Sequence, residues 1–410
     1  MYNLDMTIAI IGAGASGMAA ALQAAWNGAA VTLFEHNAEV GRKLLVTGSG
    51  RCNLTNDGVS AARYACADPA WMAALIGRFG VAEVLAMLSS IGIPARKTTD
   101  GWYYPISNSA QSVVEAFASA LQLAGVTLVT QAQVSEIHFS GDGFRLRYSH
   151  GGQTREESFE RVIVSAGGAA YPALGSRGEL FPQLEKLGHT VLPKRPALAP
   201  LLAEPGFLRS LQGMRLNVGA GLWEGSNCLA ETAGNLIFTE WGLNGPAVMD
   251  LSHLVSARPG ARLELSLNLL TFFQPEFEAL LAQKRGSPMP VKVLLDAFFA
   301  PKVAGVYLKQ ARLAEELPLN QVKDGSLQGL VALLKDTRLA VKGVRGFEYC
   351  QVSAGGVPVS EANPLTLESR LVKGLYLTGE TLDVVGPCGG YNLQYAFASG
   401  ALAGLAAAGI

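Results

Sequence analysis

The sequence predicts an α/β protein whose two ends build one domain around an inserted second one. Three observations carry this reading: a Gly-rich turn between an apolar strand pattern and an Ala-rich helix near residue 12, a strand running into Gly and an acid near residue 374, and a change of composition from Pro193. The 410 residues suffice for two or three domains with real cores, at ~100–200 residues each. Apolar residues make up 49% and charged residues 16%, which excludes a disordered tail and a coiled coil. A net charge of −1 argues against holding nucleic acid by bulk phosphate neutralisation and leaves a local basic patch as the route.

Taken in order, residues 7–11 read as a buried strand, 15–27 as a helix and 30–34 as a second strand ending at Glu35. Residues 6–34 carry no charge, the signature of a spanning helix or signal peptide. Gly12, Gly14, Gly17 and Gly28 interrupt the stretch, Ala outweighs Leu, and Asp5 is the sole preceding charge, so a buried parallel strand and a tightly packed helix fit better, and no membrane is expected. A polar, Gly-rich segment spans 41–58. Helical patterns at 69–91 and 109–124 flank a turn-rich stretch, Gly101 to Pro105. Strands at 126–130, 133–139 and 143–149, with a hairpin turn at His150-Gly151-Gly152, suggest a small antiparallel sheet. A buried strand at 161–165 leads into Ala166-Gly167-Gly168.

Prolines at 193, 196, 200 and 205 mark the start of an inserted domain, 193–345, with strand patterns at 214–223 and 261–269 and helical ones from 275 to 338. Residues 191–345 hold 17 Lys and Arg against 13 Asp and Glu, whereas the rest of the chain is net acidic. Residues 1–192 and 346–410 form the discontinuous first domain, which resumes with a strand at 371–378 and ends in a helix of small residues.

Gly12-Ala13-Gly14-Ala15-Ser16-Gly17 follows a strand and opens a helix, and Glu35 ends the next strand, so the spacing is that of a Rossmann-type dinucleotide site. The first glycine permits the turn, the second admits the pyrophosphate and the third lets helix meet strand, while helix N–H groups face the phosphates. Glu35 suits the ribose hydroxyls and would repel a 2′-phosphate, which leaves FAD or NAD. The late segment Gly374 to Glu380 favours FAD, because two-dinucleotide-fold flavoproteins use such a return to hold the ribityl chain. Gly389-Gly390-Tyr391-Asn392 opens the last helix, whose positive end suits the flavin ring edge. A second G-x-G-x-x-G is missing, so NAD(P)H is expected only as a transient reductant. Five dispersed cysteines without C-x-x-C indicate a reducing cytoplasm, and five histidines without ligand spacing indicate no metal.

These motifs resemble the BaiN/YhiN-like flavoproteins through Gly41-Arg42-Lys43, Thr47 to Asn56, Phe238 to Pro246, Gly355-Gly356-Val357, Gly379 to Asp383 and Gly389 to Gln394. The resemblance implies a Rossmann-type two-dinucleotide-binding-fold FAD domain and an insert with a β-barrel-like and a helical part. It implies reduction of conjugated C=C bonds, in steroid-like enones or in a uridine of ribosomal RNA. Residue by residue, it implies Arg42 and Lys43 beside the adenosine half held by Glu35 and the glycine turn, and Val134 meeting adenine through its backbone. Ser49, Gly50, Cys52 and Asn53 would line the flavin side. Gly379, Glu380 and Asp383 would serve the ribityl and pyrophosphate region, and Gly390, Asn392 and Leu393 would contact the ring. The chain departs from the common pattern in Thr47-Gly48-Ser49-Gly50 and in Val385-Gly386-Pro387-Cys388.

Such a reduction needs a hydride at one carbon and a proton at its neighbour. Cys52, with an ordinary thiol pKa of ~8.5 and Arg51 adjacent, is one candidate acid, and packing beneath the loop is its competing role. Cys388 is the second candidate; Tyr391 and Tyr104 are alternatives that also suit aromatic packing. Residues 284–345 carry eleven Lys and Arg against five Asp and Glu, which suits either a ribosomal RNA phosphate surface or solvated helix faces. A small-molecule electron acceptor is the alternative partner, and a flavin-carrying sensor or RNA-binding protein without turnover the alternative class.

Overall fold

Thr7–Ile11, the strand that precedes the glycine turn, runs in the middle of a five-stranded sheet in the computed structural model, which describes residues 6–410. Asp5 lies outside the described residues. The sheet order is Leu375–Leu377, Arg161–Val164, Thr7–Ile11, Ala30–Phe34, Thr127–Val129, and all four pairings are parallel. Ile8, Ile10, Leu33, Ile163 and Leu375 are sealed from solvent, as strands covered on both faces must be. This is a Rossmann-type FAD-domain fold, and it belongs to a unit made of the chain up to Pro196 together with Cys350–Ile410.

The first helix, Ala15–Trp26, packs backbone to backbone on the last, Tyr391–Ala407. A Cβ on Gly400 would strike the Ser16 carbonyl, and one on Gly404 the Ala20 carbonyl. Contacts advance by four residues on both helices, so the two run in the same direction. Tyr391 precedes Gly400 by nine residues, and at 1.5 Å per residue the last helix begins ~13 Å beyond Ser16. A dinucleotide laid across the glycine turn is thereby led toward the Gly389–Gly390 end.

Three local expectations need correction. Thr127–Val129 joins the edge of the parallel sheet, and the small antiparallel sheet consists of Gln133–Phe139, Phe144–His150 and Gln153–Phe159. Its last strand is polar and exposed except for Phe159, so no apolar alternation announced it. The stretch 69–91 is two helices, Pro69–Arg78 and Val81–Ser90, because the Glu83 carboxylate accepts the Gly80 N–H at 2.9 Å and starts a new helix there. The turn-rich segment contains a strand, Trp102–Pro105, that pairs with Thr55–Asn56 and Ala95–Lys97.

The second unit, Ala197–Tyr349, holds a closed antiparallel barrel of six strands in the order Leu201–Ala203, Gly242–Asn244, Asn227–Phe238, Arg215–Glu224, Leu263–Asn268, Thr337–Val344. Helices Gln274–Lys284, Val291–Asp296, Pro301–Gln310 and Asp324–Lys335 share its core through Phe277, Leu295, Tyr307 and Leu334. Asn227–Phe238 gave no strand signal because its Ala, Gly and Thr residues lack the usual apolar alternation. Among the described residues, no single helix is long and apolar enough to cross a membrane, and no cluster of three metal-ligating side chains occurs.

Candidate functional site

The glycines of the turn differ in what they do. Gly12 holds φ at +102°, and a Cβ there would lie 2.6 Å from the Ser165 carbonyl and 3.0 Å from Ala166; a Cβ on Gly17 would strike the Gly12 carbonyl. Gly14 has φ −81° and nothing within 4 Å of its missing Cβ. Neither backbone nor packing requires glycine at 14, so the open space above it fits a group from outside the chain. The helix behind it has no side-chain cap and no acid in its first turn, which leaves the N–H groups around Ala15 and Ser16 to an anion. These are the features a bound pyrophosphate needs.

At one end of the turn lies Glu35, 6% exposed. Its Oε2 accepts the Ala13 N–H at 2.9 Å, and its Oε1 accepts the Asn37 backbone and amide N–H groups at 2.9 and 2.8 Å. Oε2 keeps a lone pair for a ribose hydroxyl. Arg42 donates to the Asn37 amide oxygen at 2.6 Å, so it props the residue that orients Glu35. The Glu35 carbonyl accepts the Ala132 N–H at 2.9 Å, which draws Val134 close, and the strand bulges between Val134 and Glu136. A bulge releases backbone groups from the ladder, which suits recognition of adenine by main chain.

Beyond the turn, Lys43 pairs with Glu380. The other oxygen of Glu380 accepts the Ser353 backbone N–H at 3.1 Å, and Ser353 Oγ accepts the Ala169 N–H at 2.9 Å. Gly167 abuts Ser176, where a Cβ would lie 2.6 Å from the hydroxyl. Gly379, at φ +57°, donates its N–H to Ser399 Oγ at 3.0 Å, and Asp383 accepts the Gly355 N–H at 2.7 Å. Glu380 and Asp383 thus tie two Gly-containing segments together.

At the far end, Gly389 and Gly390 take the left-handed values +106° and +97°. A Cβ on Gly390 would lie 2.5 Å from the Thr55 carbonyl and 2.8 Å from the Asn53 amide. Asn392 accepts the Gly386 N–H at 2.9 Å and donates to the Gly386 carbonyl at 2.8 Å, so its amide closes the 386–392 loop. Buried Tyr391 donates to Asn56 at 3.3 Å, and its carbonyl accepts the Tyr64 hydroxyl at 2.9 Å, while Leu393 is half-buried. Ser49 and Gly50 are exposed, and Arg51 lies 4.7 Å over the Tyr104 ring. Ser49 and Cys52 hold φ at +58° and +61°, strain of order 1 kcal/mol each of the kind that gathers at functional loops.

The two candidate thiols differ. Cys52 has 0% exposure, and burial pushes its thiol up to about 11, against a lesser lowering by Thr47. The ordinary thiol pKa expected from the sequence does not hold. Cys388 is half-buried next to Gly389, and no disulfide joins any of the five cysteines. The sequence reading assigned no role to Asn37, Ser353 and Trp102, and took Asn56 only as the end of the Thr47-to-Asn56 motif. Asn37 and Ser353 have no motif of their own, and Trp102 was hidden in a stretch read as turn.

The fold, the open turn and the return of the last helix define an FAD-dependent oxidoreductase. The chain belongs to the HI0933-like protein Rossmann domain family, whose model matches residues 6–406. It is 35% identical to the 3-dehydro-bile acid delta(4,6)-reductase of Clostridium scindens over 98% of each chain. It is 32% identical to the ribosomal RNA dihydrouridine synthase of Escherichia coli over 95% of each. Among solved structures, the 3-ketosteroid delta1-dehydrogenase of Sterolibacterium denitrificans shares the fold, with a TM-score of 0.55 at 11% identity, covering 99% of this chain and 100% of that one.

Proposed function

We propose that the protein uses FAD to reduce a C=C bond conjugated with a carbonyl, that its substrate is a uridine of ribosomal RNA or its precursor, giving dihydrouridine, and that NAD(P)H is the reductant in the cytoplasm. The observation that carries the reading is the parallel packing of the first and last helices, which sets the Gly389–Gly390 helix start ~13 Å beyond Ser16, on the side of the open Gly14 turn. One relative of the chain is named a 3-dehydro-bile acid delta(4,6)-reductase and another a ribosomal RNA dihydrouridine synthase, which supports the reading.

FAD, when bound, supplies hydride to one carbon of the double bond. The chain supplies the rest. Gly14 and the helix N-terminus hold the pyrophosphate, Glu35 the ribose, and Lys43 offsets the charge of Glu380 along the path. Cys388 delivers the proton at the neighbouring carbon, because it is half-buried and directly precedes Gly389 in the chain, whereas Cys52 is sealed and packs beneath the loop.

The RNA reading draws on the insert. Of the eleven cations in 284–345, Lys284, Lys302, Lys309, Arg312, Lys323 and Arg345 have no ion pair among the described residues, and Arg345 stacks on Trp241 and Tyr349 at 4.6 and 3.2 Å. Such a mix of charge and aromatic surface suits single-stranded RNA. The other five, Arg285, Lys292, Lys335, Arg338 and Lys342, pair with carboxylates, which favours a second reading, a small-molecule enone reductase. Mass spectrometry of ribosomal RNA nucleosides from cells with and without the protein decides between them. Loss of dihydrouridine supports the first reading; unchanged nucleosides, with flavin reoxidation by a 3-keto-4-ene steroid, support the second.

A further inference from the structure

The strand Trp102–Pro105 brings a tryptophan to the helix start that the cofactor path leads to. Trp102 pairs with Asn56 across the ladder, and its indole rests on Gly389. A Cβ on Gly389 would lie 3.0, 3.1 and 3.2 Å from Cε2, Nε1 and Cζ2, so the nitrogen edge of the ring faces the left-handed turn. On its other side Trp102 neighbours Tyr104, ring centroids 6.4 Å apart and 33° between planes.

The polar side chains around this turn are engaged. Asn56 donates to the Gly389 carbonyl at 2.8 Å and accepts from Tyr391, Asn392 is bound to Gly386, and Thr55 donates to Gln394 at 2.6 Å. The Trp102 indole N–H has no hydrogen-bond partner among the described residues, and it is not sealed from solvent. A half-buried donor without an acceptor, aimed at the turn where the reacting ring is expected, lacks only an oxygen to complete it.

We infer that the Trp102 N–H receives the carbonyl oxygen of the substrate. The assignment rests on the C=C reduction proposed above and names the group that such a reaction needs and that the fingerprint motifs do not provide. As hydride reaches the β-carbon, the C=C electron pair moves toward the carbonyl and its oxygen becomes an enolate. The indole N–H keeps its proton and donates a hydrogen bond that strengthens as the charge grows. The α-carbon then takes a proton from the acid, which solvent reprotonates. The substrate gains two electrons and the flavin loses two. The same donor serves an enone or a uracil ring, since both place a carbonyl in conjugation with the double bond.

The test uses FAD-loaded protein and 4-nitrophenol at a pH where it is ionised, its phenolate oxygen standing for the enolate. Binding is read as a change in the flavin absorbance band, alongside FAD content per chain. Trp102→Phe removes the N–H and is expected to keep FAD while weakening phenolate binding about tenfold or more. Trp102→His retains a ring N–H and is expected to recover most of the affinity. Equal affinity in wild type and Trp102→Phe overturns the assignment, as does a Trp102→His no better than Trp102→Phe. A Trp102→Phe protein that loses its FAD also overturns it and makes the indole a cofactor support. Wild-type protein that takes up no flavin brings down the underlying reductase reading itself, an outcome distinct from the other three.

Discussion

Lys43 and Glu380, 337 positions apart in the chain, form an ion pair with side chains only 26% and 19% exposed. The pair joins the loop after the second strand of the sheet to the segment after its last one. Removing the lysine leaves a partly buried carboxylate without its partner, which costs more than the pair contributes. Lys43→Met is therefore expected to weaken FAD binding about tenfold or more, and adding Glu380→Gln to restore part of it. Titration of the apoprotein with FAD, followed by flavin fluorescence, checks this. Strictly additive losses would show that the two side chains act independently.

Gly14 and Gly17 are expected to fail in different ways. A Cβ at Gly14 meets nothing within 4 Å, so in Gly14→Val thermal unfolding of the cofactor-free protein should be close to wild type while FAD is lost. Gly17→Ala strikes the Gly12 carbonyl and should lower the stability of the apoprotein itself by ~1–3 kcal/mol. Unfolding midpoints measured with and without FAD separate the two.

The Cys52 thiol gives a pH signature. Its pKa rises from the ordinary 9.0 to about 11 on folding, so the unfolded chain releases this proton first. The folded state keeps its full advantage below pH 9 and loses about 2–3 kcal/mol as pH rises through about 11. Urea midpoints across that window should fall less steeply in Cys52→Ala than in wild type. Identical slopes would mean that the thiol reaches solvent in the native protein.

Cys388 and Cys52 should separate kinetically. Cys388→Ala is expected to slow reoxidation of reduced enzyme by its C=C acceptor by roughly 10²-fold, the scale of a lost general acid, with FAD content unchanged. Cys52→Ala should leave that rate within a few-fold of wild type. Stopped-flow traces at the flavin band measure both, and the reverse pattern would return the proton to Cys52.

How far the sequence carried the reading depends on how local each signal is. The turn at Gly12, Gly14 and Gly17 and the carboxylate of Glu35 were legible because strand, turn and helix are contiguous and each glycine has a steric or ligand reason. The parallel sheet was legible as apolar runs, but the membership of Thr127–Val129 was not, since only pairing with Ala30–Phe34 distinguishes it from the strands that follow. Trp102–Pro105 is a strand by virtue of its partners, Thr55–Asn56 and Ala95–Lys97, and Gly101 beside Pro105 spoke for a turn. Burial of Cys52 is a tertiary fact, and its raised pKa follows from burial alone. Lys43 could be placed near the cofactor by its motif, but its choice of Glu380 depends on the far end of the chain arriving beside it.

That arrival sets an order of events during synthesis. The strand Leu375–Leu377 and the helix Tyr391–Ala407 leave the ribosome after the barrel strands are already complete. Translation proceeds at roughly 5–20 residues per second, so for roughly 10–40 s the nascent protein exposes the flank of Arg161–Val164 and the Ser16 and Ala20 face of its first helix, with neither the late strand nor Gly400 and Gly404 in place to cover them. A product stalled before Leu375 would be prone to associate through that uncovered sheet edge.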